Sequence, residues 1–212
     1  MTLSGLGLLA AFVVMAVSLA VQWRTVARLP APGELAAQRG RAGAGVRYAF
    51  TTAFLPWAKE SGRRHPLGYG AGVVLHMAVL LALFLALWSV GRPLPAPGWA
   101  GGAVVVILGL GCVAGLGLLV RRLVSRRLRE LSIGDDYLSI GAVTAVVGVA
   151  LAAAAGVASL ASMQVATAIL LLYVPLGKLR HMVFLVPSRV YWGRNLGRRG
   201  VLPPSRTFGE RS

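Results

Sequence analysis

The chain has 212 residues, of which 57% are hydrophobic and 13% are charged, and its formal net charge is +16 at pH 7. This composition, with a mean hydropathy of +0.73, excludes an ordinary soluble domain and is typical of an integral membrane protein. The single cysteine, Cys112, excludes an iron–sulfur cluster or a disulfide formed by this chain alone.

Five apolar stretches are long enough to cross a bilayer, which takes roughly 20 helical residues. They lie near 3–22, 71–90, 101–120, 138–158 and 163–187. The last two are joined by a short turn around 159–162 and should form a hairpin. We therefore expect an all-α integral membrane protein with five transmembrane helices, in which residues 1–187 form the membrane domain and 188–212 a basic tail.

Basic residues predict the orientation, because they accumulate in loops that stay in the cytoplasm. Five crossings place every lysine and arginine except Arg92 on one side of the membrane. The N-terminus is then outside and the C-terminus cytoplasmic. The first stretch has basic residues only after it, the opposite of a secretory signal, so it should be retained. Topology and contacts with anionic lipids account for the positive charge better than nucleic-acid binding does.

Two segments on the predicted cytoplasmic side combine aromatic and basic residues. Residues 46–58 carry Phe50, Phe54 and Trp57 at helical spacing, which favours a short helix at the membrane interface, although such a surface also suits the entrance of a quinone. The tail from residue 188 is rich in arginine and has little regular pattern. It suits either the docking of a soluble subunit or a lipid-bound, loosely ordered end.

Other patterns in the sequence indicate structural roles rather than catalysis. There is no glycine-rich phosphate loop, no Ser–His–Asp set and no carboxylate inside an apolar stretch, which speaks against a proton pump or cation transporter. Asp135 and Asp136 precede the fourth stretch and suit a helix cap. Gly109, Gly111 and Gly115 in the third stretch indicate close helix packing.

Two histidines, His76 and His181, each lie inside an apolar stretch near the end that faces the basic side. Ionisable side chains are rarely kept in hydrocarbon without a partner. Their matched depth suggests axial ligands to one haem iron, and interfacial or helix-bonding histidines are the alternative. Gly72, one turn before His76, leaves room for a flat macrocycle. His65 precedes Pro66 and is expected to be a solvated loop residue.

Several of these features resemble the membrane cytochrome b subunits typified by the gamma subunit of respiratory nitrate reductase. They are the five-helix plan, His76, the segment 134–139, the Pro-Leu-Gly-Lys-Leu-Arg-His run that ends at His181, and the tail segment 193–203. Related subunits belong to sulfite-reduction-associated and heterodisulfide-reductase-like membrane complexes. The similarity covers roughly residues 48–203, and the run before His181 is its most specific part.

The resemblance implies a cofactor. In that family one haem b near the cytoplasmic side is held by histidines that match His76 and His181. A second haem uses another pair of ligands, at positions where this chain has Ala86 and Met163. Alanine cannot ligate iron, so we expect a single haem b with two histidine ligands.

The propionates of such a haem need cationic partners near the membrane surface. Arg180, Arg189, Arg63 and Arg64 are candidates by depth, although each suits orientation of the protein equally well. Lys178 suits a propionate or a quinone, and snorkelling of its ammonium group to the interface is the alternative.

Together these features predict an electron-transfer subunit of a quinone-linked oxidoreductase complex in a prokaryotic cytoplasmic (inner) membrane. Electrons would pass between membrane quinol or quinone and a cytoplasmic iron–sulfur subunit. The chain has no group that reduces a terminal substrate by itself, so no catalytic residue is predicted. The alternatives are a cofactor-free membrane anchor for a soluble enzyme complex and a small-molecule transporter.

Overall fold

The computed structural model describes residues 2–29, 36–58, 60–94 and 98–204, and all the regular elements in these ranges are helical. The all-α prediction is confirmed for this part of the chain. The helices in chain order are α1 (Leu3–Ala27), α2 (Ala42–Phe50), α3 (Glu60–Arg64), α4 (Pro66–Trp88), α5 (Trp99–Val124), α6 (Arg126–Glu130), α7 (Gly134–Ala154), α8 (Leu160–Tyr173) and α9 (His181–Arg198). Short 3-10 turns lie at Thr52–Phe54, Pro56–Ala58 and Lys178–Arg180.

Four of these helices, α1, α4, α5 and α7, are long and apolar enough to cross a membrane. The chain therefore has the character of a multi-pass membrane protein. A fifth span is counted only when α8 and the segment Lys178–Arg198 are taken together as one broken pair.

The fifth predicted stretch, 163–187, is not one continuous helix. α8 ends at Tyr173, and a short break separates it from the 3-10 turn and α9. Pro175 lies in this break and has no N–H to donate to the preceding turn. The predicted continuous helix is therefore wrong, because α8 ends at Tyr173 and helical structure resumes only at Lys178.

α7 and α8 follow each other closely, as predicted for a hairpin, but α7 ends earlier than expected. Gly156 has a φ of +74°, a left-handed conformation that favours glycine. The Val157 N–H donates to the Ala152 carbonyl oxygen at 2.8 Å, which closes the end of α7 in a Schellman arrangement. The Ser159 hydroxyl accepts a hydrogen bond from the Ser162 N–H at 3.1 Å and caps the start of α8.

The chain divides into two compact units, an apolar unit formed by Met1–Val21 and Leu67–Arg180 and a basic unit formed by Gln22–Pro66 and His181–Ser212. Within the apolar unit, α5 packs closely through glycines. A Cβ at Gly111 would overlap the Cβ of Ala78 on α4, and a Cβ at Gly115 would overlap the side chain of Thr144 on α7. Small residues allow helices to approach closely where no hydrophobic driving force brings them together.

Gln164 is the polar centre of the apolar unit and is only 2% exposed. Its Nε2 donates to the Ser89 Oγ at 3.0 Å and to the Ser89 carbonyl oxygen at 3.2 Å. Its Oε1 accepts a hydrogen bond from the Ser4 Oγ at 2.6 Å. The side chain therefore joins α8 to α1 and to the residue that follows α4, and its amide avoids the cost of being buried without partners.

The basic unit is built on the packing of α2 against α9. A Cβ at Gly45 would overlap the Gly193 carbonyl oxygen, and one at Gly193 would lie 2.7 Å from the Cα of Val46. The backbones of the two helices therefore touch where neither carries a side chain. The Arg39 N–H donates to the Arg198 carbonyl oxygen at 2.8 Å and so satisfies a carbonyl at the end of α9.

Two segments of the basic unit differ from their predicted form. The tail from residue 188, for which a loosely ordered end is one expectation, is helical as far as Arg198 because it packs on α2. The segment 46–58 is helical only to Phe50 and continues as two 3-10 turns. Phe50, Phe54 and Trp57 are 37%, 39% and 64% exposed.

Gly111→Ala should destabilise the protein, whereas Gly109→Ala in the same helix should not. A methyl group added at Gly111 meets the Ala78 Cβ, so a helix backbone must shift, and overpacking of this kind costs about 1–3 kcal/mol. At Gly109 a new Cβ meets no atom within 4 Å, and alanine is favoured over glycine in a helix by roughly 0.5–1 kcal/mol. Thermal unfolding in detergent, followed by circular dichroism, compares the two variants. Equal midpoints would contradict the close packing of α4 and α5.

The Gln164–Ser89 hydrogen bonds should show energetic coupling. Double-mutant cycles on side-chain hydrogen bonds between membrane helices give about 0.6 kcal/mol on average, with a maximum near 1.7 kcal/mol. We expect a coupling free energy of at least about 0.5 kcal/mol from unfolding measurements on Gln164→Leu, Ser89→Ala and the double variant. Strict additivity of the two single changes would rule the interaction out.

Candidate functional site

His76 lies on α4, ten residues after the helix begins at Pro66, and its imidazole is exposed. Its Nδ1 lies 2.6 Å from the Gly72 carbonyl oxygen. Because a carbonyl only accepts, Nδ1 donates in this bond, and in a neutral ring the lone pair is then on Nε2. This is the tautomer of a metal-ligating histidine whose other ring nitrogen is held by the backbone.

The surroundings of His76 on α4 are apolar and exposed. The exposed stripe of the helix contains Val73 (47%), Met77 (59%), Leu80 (62%) and Phe84 (56%). The opposite side is buried in the apolar unit through Leu75, Ala78, Ala82 and Leu85. His76 therefore presents an ionisable ring on an exposed and apolar helix face.

His181 is the first residue of α9 and is also exposed. The sequence predicts it about eighteen residues into a continuous fifth helix, and that placement is wrong because the helix is broken after Tyr173. The matched depth of the two histidines stays a prediction, since His76 belongs to the apolar unit and His181 to the basic unit.

The third histidine, His65, lies between α3 and α4 and is exposed, as are its neighbours Arg63 and Arg64. Among the residues that the structure describes, there is no group of three or more His, Cys, Asp or Glu side chains that could hold a metal ion. A haem with two axial histidines needs no such group.

The other predicted cofactor-binding residues have distinct surroundings. At Gly72 an added Cβ would meet no atom within 4 Å, so the helix face beside His76 is open. Arg180 is exposed in the 3-10 turn before α9. Arg189 is engaged inside the basic unit, where its Nη1 donates to the Ala49 carbonyl oxygen at 3.0 Å and its guanidinium lies 4.4 Å from the centre of the Phe54 ring.

Arg121 is a candidate that the sequence analysis misses. It stands at the end of α5, and its guanidinium lies over Gly68 of α4, where a Cβ would overlap Nη1. Gly68 comes eight residues before His76, which is about 12 Å along the helix. Within the described parts of the chain Arg121 has no ion pair, whereas its neighbour Arg122 lies 3.3 Å from an Asp136 carboxylate oxygen.

Hydrogen bonds join the segment 134–139 to the end of α8 and to the run before His181, which are two of the segments on which the predicted family resemblance rests. Asp135 accepts hydrogen bonds from the Tyr173 hydroxyl and, at 2.7 Å, from the Lys178 backbone N–H. Asp136 accepts one from the Ile133 N–H at 3.0 Å, which confirms its predicted role at the start of α7. It also accepts one from the Lys178 Nζ at 2.7 Å, so that ammonium group is paired with a carboxylate.

The two positions at which the family would carry a second pair of haem ligands lie in the packed core. Ala86 on α4 and Met163 on α8 are both 0% exposed. Met163 is followed by Gln164, whose amide is bonded to Ser89, three residues after Ala86. Side-chain packing and a hydrogen-bonded amide fill this part of the apolar unit.

The resemblance to membrane cytochrome b subunits stays a prediction from the residue patterns of this chain. No family model, no curated protein sequence and no solved structure matches it.

Proposed function

We propose that the chain is a haem b-containing membrane subunit of a quinone-linked oxidoreductase complex. It relays electrons between membrane quinol or quinone and an iron–sulfur subunit on the cytoplasmic face. His76 and His181 would hold the haem iron. The N-terminus is outside and the C-terminus inside, and the membrane is a prokaryotic cytoplasmic membrane.

The observation that carries the proposal is the hydrogen bond between the His76 ring and the Gly72 carbonyl. An imidazole on an apolar helix face is costly in hydrocarbon unless both ring nitrogens have partners. The Gly72 carbonyl satisfies Nδ1 at 2.6 Å and leaves the Nε2 lone pair directed away from that bond. An iron atom is a partner that uses this lone pair without requiring a proton.

The residues around His76 fit a haem. The open helix face at Gly72 leaves space for a macrocycle beside the ligand, and the neighbouring apolar side chains suit its hydrophobic body. The Arg121 guanidinium, two turns away at Gly68, suits a propionate. When bound, the haem supplies a one-electron couple whose potential the axial ligands and nearby charges adjust.

The basic unit suits an acidic soluble partner and anionic lipids. In the part that the structure describes, Glu60 is its only acidic residue. Arg47, Arg194 and Arg199 are exposed on α2 and α9 or just after α9. Such a surface attracts acidic surfaces over a distance of about 10 Å at ordinary ionic strength.

The same basic surface favours the alternative function, a cofactor-free membrane anchor that recruits a soluble enzyme. Exposed Tyr191 (51%) and Trp192 (42%) on α9 combine with the arginines in the manner of a membrane-interface or docking helix. The anchor requires this surface but no ligand for His76. The two functions therefore differ in whether the purified protein carries haem.

Replacing either proposed ligand should remove the haem, whereas replacing the third histidine should not. We expect the purified chain to show the sharp reduced bands of haem b after dithionite reduction, and His76→Ala and His181→Ala each to lose most of this absorbance. His65→Ala is the matched control and should keep it, because His65 is an exposed residue between two helices. Absorption spectra at equal protein concentration, with circular dichroism to confirm folding, measure the effect.

Two outcomes contradict the proposal. A folded wild-type protein that stays colourless when it is produced with ample haem would favour the anchor. Haem absorbance that survives both His76→Ala and His181→Ala would show that other residues hold the group.

Arg121→Gln should lower the midpoint potential of the haem. A positive charge near a haem favours the reduced state, because it stabilises the added electron. We expect a decrease on the order of tens of millivolts, since ~59 mV is a tenfold change in a one-electron equilibrium constant. Arg126→Gln is the control, because Arg126 is paired with Glu130 at 2.9 Å on the exposed surface of α6. A redox titration in which both variants match the wild type would contradict the assignment of Arg121.

A further inference from the structure

We propose that Asp135 and Asp136 are positioning residues for His181, because they clamp the chain at Lys178, three residues before the histidine. The inference rests on the proposed haem function and adds to it the device that fixes one ligand. The clamp lies wholly within the apolar unit and joins α5, α7 and the end of α8 to the 3-10 turn Lys178–Arg180.

Asp135 bridges the two sides of the helix break. One carboxylate oxygen accepts a hydrogen bond from the hydroxyl of Tyr173, the last residue of α8. The other oxygen accepts from the backbone N–H of Lys178 at 2.7 Å. A single side chain on α7 therefore holds the residue at which α8 ends and the residue at which the chain resumes helical structure.

Asp136 holds the Lys178 side chain. Its Oδ1 lies 2.7 Å from the Lys178 Nζ and 3.3 Å from the Arg122 Nη1, and its side chain is 14% exposed. Arg122 also donates to the Ser132 Oγ at 2.9 Å. A helix cap needs only the bond from the Ile133 N–H, so the contacts with Lys178 and Arg122 are additional to capping.

The Tyr173 ring is held at its hydroxyl end. Its hydroxyl lies 2.8 Å from the Ser139 Oγ, and Ser139 is only 8% exposed. Its ring lies over Gly177, where an added Cβ would overlap the ring atoms. The tyrosine thus packs over the break itself, and the glycine is required by this close approach.

This clamp would restrict the position of His181 as a haem ligand, because only two residues separate Lys178 from His181. An axial ligand must lie within about 0.2 Å of its preferred distance from the metal, and a break in a helix leaves the following chain free to shift. Fixing the backbone of Lys178 by a charged hydrogen bond limits that freedom. Removing a hydrogen bond to a charged acceptor therefore lets the segment open measurably more often.

The test combines a readout that needs no haem with one that does. Asp135→Ala should speed amide hydrogen exchange at Lys178 by about tenfold or more and should weaken or broaden the low-spin haem signal in electron paramagnetic resonance. Asp135→Asn, which keeps one oxygen acceptor, should restore part of both. Glu130→Ala is the matched control, since it removes a carboxylate of an exposed ion pair on α6, and it should change neither readout.

A second pair of variants covers the case in which Asp135→Ala does not fold. Lys178→Met removes the ammonium group from Asp136 but keeps the backbone N–H, and Tyr173→Phe removes only the hydroxyl. Each should change the haem signal in the same direction as Asp135→Ala and to a smaller extent.

The outcomes are distinguishable. Unchanged exchange at Lys178 in Asp135→Ala would overturn the clamp. Faster exchange with an unaltered haem signal in all variants would overturn the positioning role while the haem function stands. A haem-free wild type would overturn the proposed function, and with it the role toward the ligand.

Discussion

Hydrocarbon supplies no hydrogen-bond partners, and this constraint governs the apolar unit. Each polar group on its helices needs a partner within the protein. Several have one nearby, whereas the buried hydroxyls of Thr144 and Thr167 have no hydrogen-bond partner among the described residues. Gln164 is satisfied by Ser89 and Ser4, and the Nδ1 of His76 by the preceding turn of its own helix. At the break after α8, a carboxylate from α7 accepts the Lys178 N–H. These polar groups are therefore tied to specific partners.

The apolar helices follow directly from composition, whereas the break does not. Long hydrophobic stretches predict α1, α4, α5 and α7, because hydrocarbon thickness and helical rise fix the length of a span. The stretch 163–187 looks equally continuous, although Pro175 and Gly177 within it are signals for an interruption. Asp135, about 40 residues earlier in the chain, accepts hydrogen bonds from Tyr173 and Lys178 on the two sides of the break. No local sequence pattern reveals these bonds.

The candidate site divides in the same way. His76 is predictable, because an ionisable residue in an apolar stretch is conspicuous. The open helix face at Gly72 is also predictable, because glycine has no side chain and Gly72 lies one turn before His76. The approach of Arg121 to Gly68 is not predictable, since the arginine belongs to a basic cluster that orientation alone explains. In the basic unit, Gly193 and Gly197 have the four-residue spacing of a packing face, but their partner Gly45 lies far away in the sequence. Contacts between distant segments are the part that single-sequence reasoning leaves out.

The core packing also bears on how many haems the chain would hold. A second pair of ligands would need space and two donor side chains in the region of Ala86 and Met163, and both of these residues are completely buried. The adjacent amide of Gln164 uses its donors on Ser89, so inserting a macrocycle there would remove both the packing and those hydrogen bonds. The face of α4 around His76 is open by comparison. Under the proposed function, a haem would therefore be held beside His76, whereas the end of the helix near Ser89 holds α1, α4 and α8 together.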